Sequence, residues 1–158
     1  MLIRKATPID AENLLSMLKQ MDGETKFMLY EPAERRTTVP EMEARIVQVE
    51  ESGSLFLVAE VDGKIVGFLS ADRGFANRII HSAYIVIGIL EAFSGMGIGT
   101  GLFRELENWA KENQITRLEL TVMVHNEKAI HLYQKRGFSI EGTKKHSLLV
   151  DGCYVDEY

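Results

Sequence analysis

The chain has 158 residues, 46% hydrophobic and 26% charged, with a net charge of −5. That composition suits one globular domain over residues 1–158 with an ample core, and it argues against a general nucleic-acid binder, because phosphate-backbone affinity needs clustered Lys and Arg. No apolar run reaches the roughly 18 residues of a membrane span and Met1-Leu2-Ile3-Arg4-Lys5 lacks a secretory h-region, so a cytoplasmic protein without membrane contact is expected.

The single cysteine, Cys153, excludes an internal disulfide and a multi-thiolate zinc site. No His-with-acid pattern surrounds it, so it is expected to pack as a small apolar residue. The acidic balance, with a pI near 5.4, favours cationic partners such as amines.

Met1 to Ala6 alternates as a first strand. Thr7-Pro8-Ile9-Asp10 then reads as a capped helix start, with Thr7 as N-cap, Pro8 at the first position and an acid at the third. Ile9, Leu14, Leu15, Leu18 and Met21 are its expected buried stripe. From Asp22 to Val39 the periodicity dissolves into a polar loop carrying Phe27, Met28, Leu29 and Tyr30, the type of long connection that often binds ligands. Thr38-Val39-Pro40-Glu41 is a second capping box, opening a helix that stops near Ser52-Gly53. Leu55–Val61 and Lys64–Ala71, joined by Asp62-Gly63, form a hairpin suited to a type I′ turn.

Ala83–Leu90 is short, apolar and β-branched, as a buried strand should be. It feeds through Ser94-Gly95-Met96-Gly97-Ile98-Gly99-Thr100 into a helix whose apolar stripe is Leu102, Phe103, Leu106, Trp109 and Ala110. Leu118, Leu120, Val122 and Val124 then alternate as a strand returning after a crossover of the length that parallel pairing needs. Asn126 can cap a short helix that Gly137 ends, and strands over Phe138–Leu149 and Cys153–Tyr158 flank Asp151-Gly152.

Clustered glycines at a helix N-terminus let an anion approach several amides that lack intrahelical partners. The spacing rejects two common identities. A dinucleotide fingerprint needs a third glycine where Thr100 or Leu102 stands, and a P-loop needs a Lys that none of these glycines precedes. What remains is Gly-x-Gly at a helix start, which tight packing alone would also explain.

The later segment is more specific. Gly97-Ile98-Gly99-Thr100-Gly101-Leu102, followed by Asn126-x-x-Ala129-x-x-Leu132-Tyr133-x-x-x-Gly137-Phe138, resembles the GNAT superfamily of acetyl-CoA-dependent N-acetyltransferases. The resemblance spans the whole chain, from the capped first helix onward. It implies an α+β fold: a mixed, mostly antiparallel sheet of six to seven strands flanked by about four helices, with a splayed parallel pair forming the cofactor cleft. It further implies transfer of acetyl from acetyl-CoA to a primary amine, of a small molecule or a protein, by direct attack on the thioester.

On this resemblance Ile89 and Leu90 offer backbone hydrogen bonds to the pantetheine arm, and Ser94, Gly95, Met96, Gly97, Ile98, Gly99 and Thr100 hold the pyrophosphate. Ser94 departs from the family pattern Gln/Arg-x-x-Gly-x-Gly/Ala, which weakens that grip. Asn126 holds the arm or simply caps its helix. Tyr133 protonates the departing thiolate or packs as a core aromatic; a phenol suits the acid role because its ordinary pKa of about 10 keeps it protonated.

The base is open. No carboxylate lies within Ser82–Leu90, and the candidates are Glu91, His125 and Glu31, with Glu24 and His81 beside them. The rival reading is a non-catalytic acyl-CoA-binding or regulatory module. A homodimer through the final hairpin is implied by resemblance alone, and no metal is expected.

Overall fold

The computed structural model describes residues 1–158, which form two compact units, residues 1–119 and 120–158. Seven strands fall into two sheets. The first unit holds a five-stranded sheet of β1 (Leu2–Lys5), β2 (Leu55–Val61), β3 (Lys64–Arg73), β4 (Ser82–Ile89) and β5 (Arg117–Glu119) in that order, and the second a two-stranded ribbon of β6 (Lys144–Val150) and β7 (Cys153–Glu157).

In the first unit β1 (Leu2–Lys5) pairs antiparallel with β2 (Leu55–Val61), which pairs with β3 (Lys64–Arg73) across a type I′ turn. Both turn residues have positive φ, 49° at Asp62 and 76° at Gly63, as the Asp-Gly pair requires. β3 is central and apolar on both faces, with Ile65 to Ala71 all buried. β4 (Ser82–Ile89) runs antiparallel to β3 along its full length, and β5 (Arg117–Glu119) is its parallel neighbour.

Two helices pack on one face of this sheet and one on the other. On β4, a side chain at Gly88 would collide with Met21 of α1 (Ala11–Glu24), so Gly88, Val86 and Tyr84 face α1. A side chain at Gly101 would collide with Ile3 of β1, which puts α3 (Ile98–Glu112) on the opposite face. Leu102, Phe103 and Leu106 of α3 are fully covered there, the stripe that the periodicity predicts.

The first helical turn differs from its expectation in one place. Pro8–Asp10 form a 3₁₀ turn ahead of α1, and Ile9 points outward, 92% exposed, while Ala11, Leu14, Leu15, Met17, Leu18 and Met21 are buried. The tighter 3₁₀ winding carries Ile9 off the stripe that α-helical spacing assigns it. The cap itself forms: the Thr7 amide and hydroxyl donate to the Asp10 carboxylate at 2.8 and 3.2 Å. Arg4 donates to both Asp10 oxygens at 2.8 Å and to Glu60 at 3.1 Å, tying β1, β2 and the helix start together. The Arg4 hydrogen bond, reinforced by the Thr7 amide and opposed by desolvation, lowers the Asp10 pKa to about 2.

α2 (Val39–Glu51) begins on the expected capping box. Glu41 N–H donates to the Thr38 hydroxyl at 3.3 Å and Thr38 N–H to the Glu41 carboxylate at 2.8 Å. The connection from α1 to α2 is held by an ion pair absent from the sequence reading. Arg35 donates to both oxygens of the buried Asp22, at 2.7 and 3.0 Å, and lies 4.5 Å over the ring of Tyr30.

The predicted strand Leu118–Val124 is divided. Arg117–Glu119 pair with β4, whereas in the second unit Val122 and Val124 pair antiparallel with the end of the chain, through Tyr158 and Asp156. α4 (Glu127–Lys135) follows, then irregular residues 138–143, then β6 (Lys144–Val150) and β7 (Cys153–Glu157). The strand expected from Phe138 therefore starts only at Lys144. Ser139, Glu141, Gly142 and Thr143 carry little of the apolar surface that would hold a pairing. Cys153 is exposed, contrary to the packing expectation, because a two-stranded ribbon has no second layer covering both of its faces. Asp156 accepts from the His146 amide at 2.7 Å and from Lys145 at 3.2 Å, which holds its carboxyl below the usual range.

Candidate active site

β4 ends in a 3₁₀ turn, Glu91–Phe93, that leads into the glycine segment. Ser94 is extended, and Gly95 and Gly97 have φ of 79° and 81°. Gly97 is the N-cap of α3, and no side chain caps it. The first intrahelical bond runs from the Gly101 amide to the Gly97 carbonyl at 3.1 Å, so the amides of Ile98, Gly99 and Thr100 precede the ladder. A Cβ at Gly95 or Gly97 would meet no atom of the chain within 4 Å. Packing thus does not demand glycine there; left-handed backbone does, and the space above stays open for a ligand.

The segment is unequal residue by residue. Ser94, Met96 and Thr100 are exposed, whereas the Ile98 side chain is buried at 1% and offers only its amide. Leu90 is also buried, its amide already donating to Val66 at 2.9 Å, so its carbonyl is the group it can present.

β4 and β5 part early. They pair only at Ser82, Ala83 and Tyr84 with Arg117, Leu118 and Glu119. From Ile85 to Ile89 one edge of β4 has no strand partner in its sheet, which is the expected splay. Below the fork, on the face bearing Tyr84, lies an open pocket of about 480 Å³ lined by residues including Asp72, Arg78, His81, Tyr84, Arg117 and Glu119. The sequence reading missed all of these except His81. The available signal was the polar tip of Tyr84 within an otherwise apolar strand.

Of the base candidates in this unit, Glu24 and Glu91 come together: the Glu24 carboxylate accepts from the Glu91 amide at 3.0 Å and from Gln20 at 2.7 Å. The Glu91 side chain is exposed at the mouth of the turn, and Glu31 is exposed on the α1–α2 connection. His81 lies in the pocket, away from them.

In the second unit Asn126 caps α4, its side-chain carbonyl accepting from Ala129 N–H at 3.3 Å, which leaves the amide NH₂ for another partner. Tyr133 is half-buried and meets Phe138 edge-on, with centroids 6.0 Å apart. Gly137, φ 90°, ends the helix and returns the Phe138 amide to the Tyr133 carbonyl at 3.0 Å, fixing that ring pair. His125 and His131 are exposed.

Residues 17–138 match the Acetyltransferase (GNAT) family. The chain belongs to this family. The GNAT chain is 41% identical over 106 residues to an L-amino acid N-acetyltransferase of Escherichia coli, covering 65% of this chain and 64% of that one. It is 33% identical over 110 residues to an N-alpha-acetyltransferase of Sulfurisphaera tokodaii, covering 64% and 66%. These matches span just under two thirds of both relatives. A crystal structure of a GNAT-family acetyltransferase from Streptococcus pneumoniae superposes with a TM-score of 0.95 at 34% identity, over 99% of this chain and 95% of that one. No helix of this GNAT protein is long and apolar enough to cross a membrane.

Proposed function

We propose that this protein is an acetyl-CoA-dependent N-acetyltransferase, acting as a single functional domain over residues 1–158 and moving acetyl to a primary amine. The observation that carries the reading is the uncapped N-terminus of α3, where Gly95 and Gly97 hold left-handed backbone with no atom of the chain above them. An acyl-CoA brings a pyrophosphate to such amides.

In this reading the amides of the Gly95–Thr100 segment hold the pyrophosphate, with the exposed Ser94 and Thr100 hydroxyls beside them. Ile89 and Leu90 present backbone to the pantetheine arm, and the Asn126 NH₂ donates to it. The amine nitrogen attacks the thioester carbonyl carbon, the carbon–sulfur bond breaks, and the thiolate takes the Tyr133 proton. The attacking nitrogen loses its proton to solvent, directly or through one of Glu24, Glu31, Glu91, His81 or His125. Catalysis of this kind draws mainly on orienting the two substrates and polarising the carbonyl, without a covalent enzyme intermediate. The exposed Cys153 has no part in it.

A cytoplasmic location and a homodimer built on the final hairpin belong to the same proposal. The deciding experiment is release of free CoA thiol from acetyl-CoA across a panel of amines. Amine-dependent release is expected; acetyl-CoA binding with no release for any amine would reduce the protein to a binding module.

A further inference from the structure

The amine acceptor has so far been left generic, and the pocket below the β4–β5 fork narrows it. Tyr84 and Glu119 are the last paired residues before the strands part, and both stand on the face opposite α3. Across the sheet, Asp72 of β3 pairs with Tyr84 and shares that face, as do Ser82 and Arg117 one pleat earlier. Along β4, Tyr84 lies five residues, about 17 Å, from Ile89. An arm anchored at the glycine turn and extended along the unpartnered edge of β4 therefore delivers its end to the fork.

The charges of the pocket do not follow those of the whole chain. Asp72 is taken by Arg45, at 2.7 and 3.0 Å, and Glu119 by Arg117 at 3.0 Å. Those two pairs neutralise both carboxylates of the lining. Arg78 faces the same space and enters no ion pair or hydrogen bond. In a protein of net charge −5 this pocket keeps one uncompensated guanidinium, and His81 also lines it.

The connector that presents Arg78 is held in place. Gly74 N–H donates to the Ser82 carbonyl at 2.9 Å, and Arg73 Nε to the Ile80 carbonyl at 2.9 Å. A side chain at Gly74 would collide with the Ile79 carbonyl, so the backbone folds tightly onto this glycine. A guanidinium on such a connector is a fork of donors suited to a carboxylate.

We propose that the acceptor is an amine that also carries a carboxylate, of the amino-acid class, and that Arg78 is the residue that selects it. The carboxylate docks on Arg78, and the amine lies near Tyr84 at the fork. A volume of about 480 Å³ accommodates a small molecule of this kind. A polyamine would place an ammonium against Arg78. The inference rests on the acetyl-transfer reading, but its test separates the two.

The test pairs each standard L-amino acid with its own amide, which lacks the carboxylate, and compares wild type, Arg78→Ala and Arg78→Glu. Steady-state kinetics is measured in both substrates, with calorimetric binding of the amino acids in the absence of acetyl-CoA. Wild type is expected to favour the acid over its amide. Arg78→Ala should raise the acceptor KM about tenfold or more for acids alone, the loss expected for one charge-assisted pair, with the KM for acetyl-CoA unmoved. Arg78→Glu should invert the preference. Gly74→Ala, which displaces the connector and keeps the arginine, should weaken acids in the same direction. Equal use of acid and amide by wild type, or an acceptor KM indifferent to both Arg78 variants, overturns the inference and leaves acetyl transfer standing. If no amine is turned over, calorimetry decides: amino-acid binding lost in Arg78→Ala supports the pocket, and no binding to wild type overturns it.

Discussion

The two ends of β4 solve the problem of meeting a ligand with different materials. At the C-terminal end, Gly95 to Thr100 present backbone amides at the start of α3, and the turn lacks a charged side chain. At the N-terminal end, Asp72, Arg78, Arg117 and Glu119 surround an open pocket with side-chain charge. Backbone amides are the same in every protein, so the first end suits a group common to many enzymes, here proposed as a pyrophosphate. Side-chain charge is particular to the chain, so the second end is where selectivity belongs. On the two proposals above, donor and acceptor recognition are open to separate alteration.

The largest expected effect tests the backbone end. In wild type, acetyl-CoA at about a hundredfold excess over its Kd should raise Tm by roughly 5–10 °C. Gly97→Val should abolish that shift. The apo protein should lose only about 2 kcal/mol, because a β-branched residue at φ 81° is strained while its Cβ meets no neighbouring atom within 4 Å. Differential scanning fluorimetry with and without acetyl-CoA reads both effects, and an unchanged shift would remove the cradle from the comparison.

Next in size, Tyr133→Phe should lower turnover by about 10²-fold while leaving the acetyl-CoA shift intact, which would separate proton transfer from either form of recognition. Wild-type turnover in the variant would reduce Tyr133 to the ring partner of Phe138.

Below these come the residues that hold the first unit together without touching either end. Asp22→Asn leaves Arg35 without its carboxylate partner and should cost about 2–3 kcal/mol, read from urea midpoints. The α1–α2 connection should become the first site of proteolysis. Asp10 contributes on the order of 2 kcal/mol through its lowered pKa, and the sign is fixed by linkage. A carboxyl whose folded pKa of about 2 lies below its unfolded value stabilises the protein above the unfolded pKa and loses that contribution as pH falls. Stability should therefore decline between about pH 5 and pH 2, less steeply in Asp10→Asn; equal slopes would contradict the Arg4–Asp10 account.

The smallest effect sharpens the backbone end. Ser94→Arg restores the long cationic side chain of the family pattern and should tighten acetyl-CoA several-fold, with a steeper salt dependence. No gain would mean that the amides already saturate the phosphates.

Which parts of the molecule were legible in sequence follows from the same contrast. The glycine turn depends on short-range spacing, so a local pattern identifies it. The Asp62-Gly63 turn, the Thr38–Glu41 capping box and the α3 stripe are equally local, and they stand where periodicity and turn chemistry put them. Ile9 departs from the helical stripe because one 3₁₀ turn shifts its side chain outward. Cys153 is exposed where composition suggests packing, because burial depends on what lies across a sheet. The strand predicted over Leu118–Val124 shows apolar alternation without saying which partner each half will pair with.

The local elements and, through the spacing of Gly97, Gly99, Asn126 and Tyr133, the family are legible along the chain. Only the packing of the sheet fixed that β4 and β5 part after Tyr84 and Glu119. Tertiary contacts also decided that Asp22 meets Arg35, and that Arg78 faces a pocket whose carboxylates are already paired. The reason is physical: hydrogen-bond spacing within a turn or helix is fixed over a few residues. A pocket formed by residues 72 to 119 exists only once sheet register brings them onto one face.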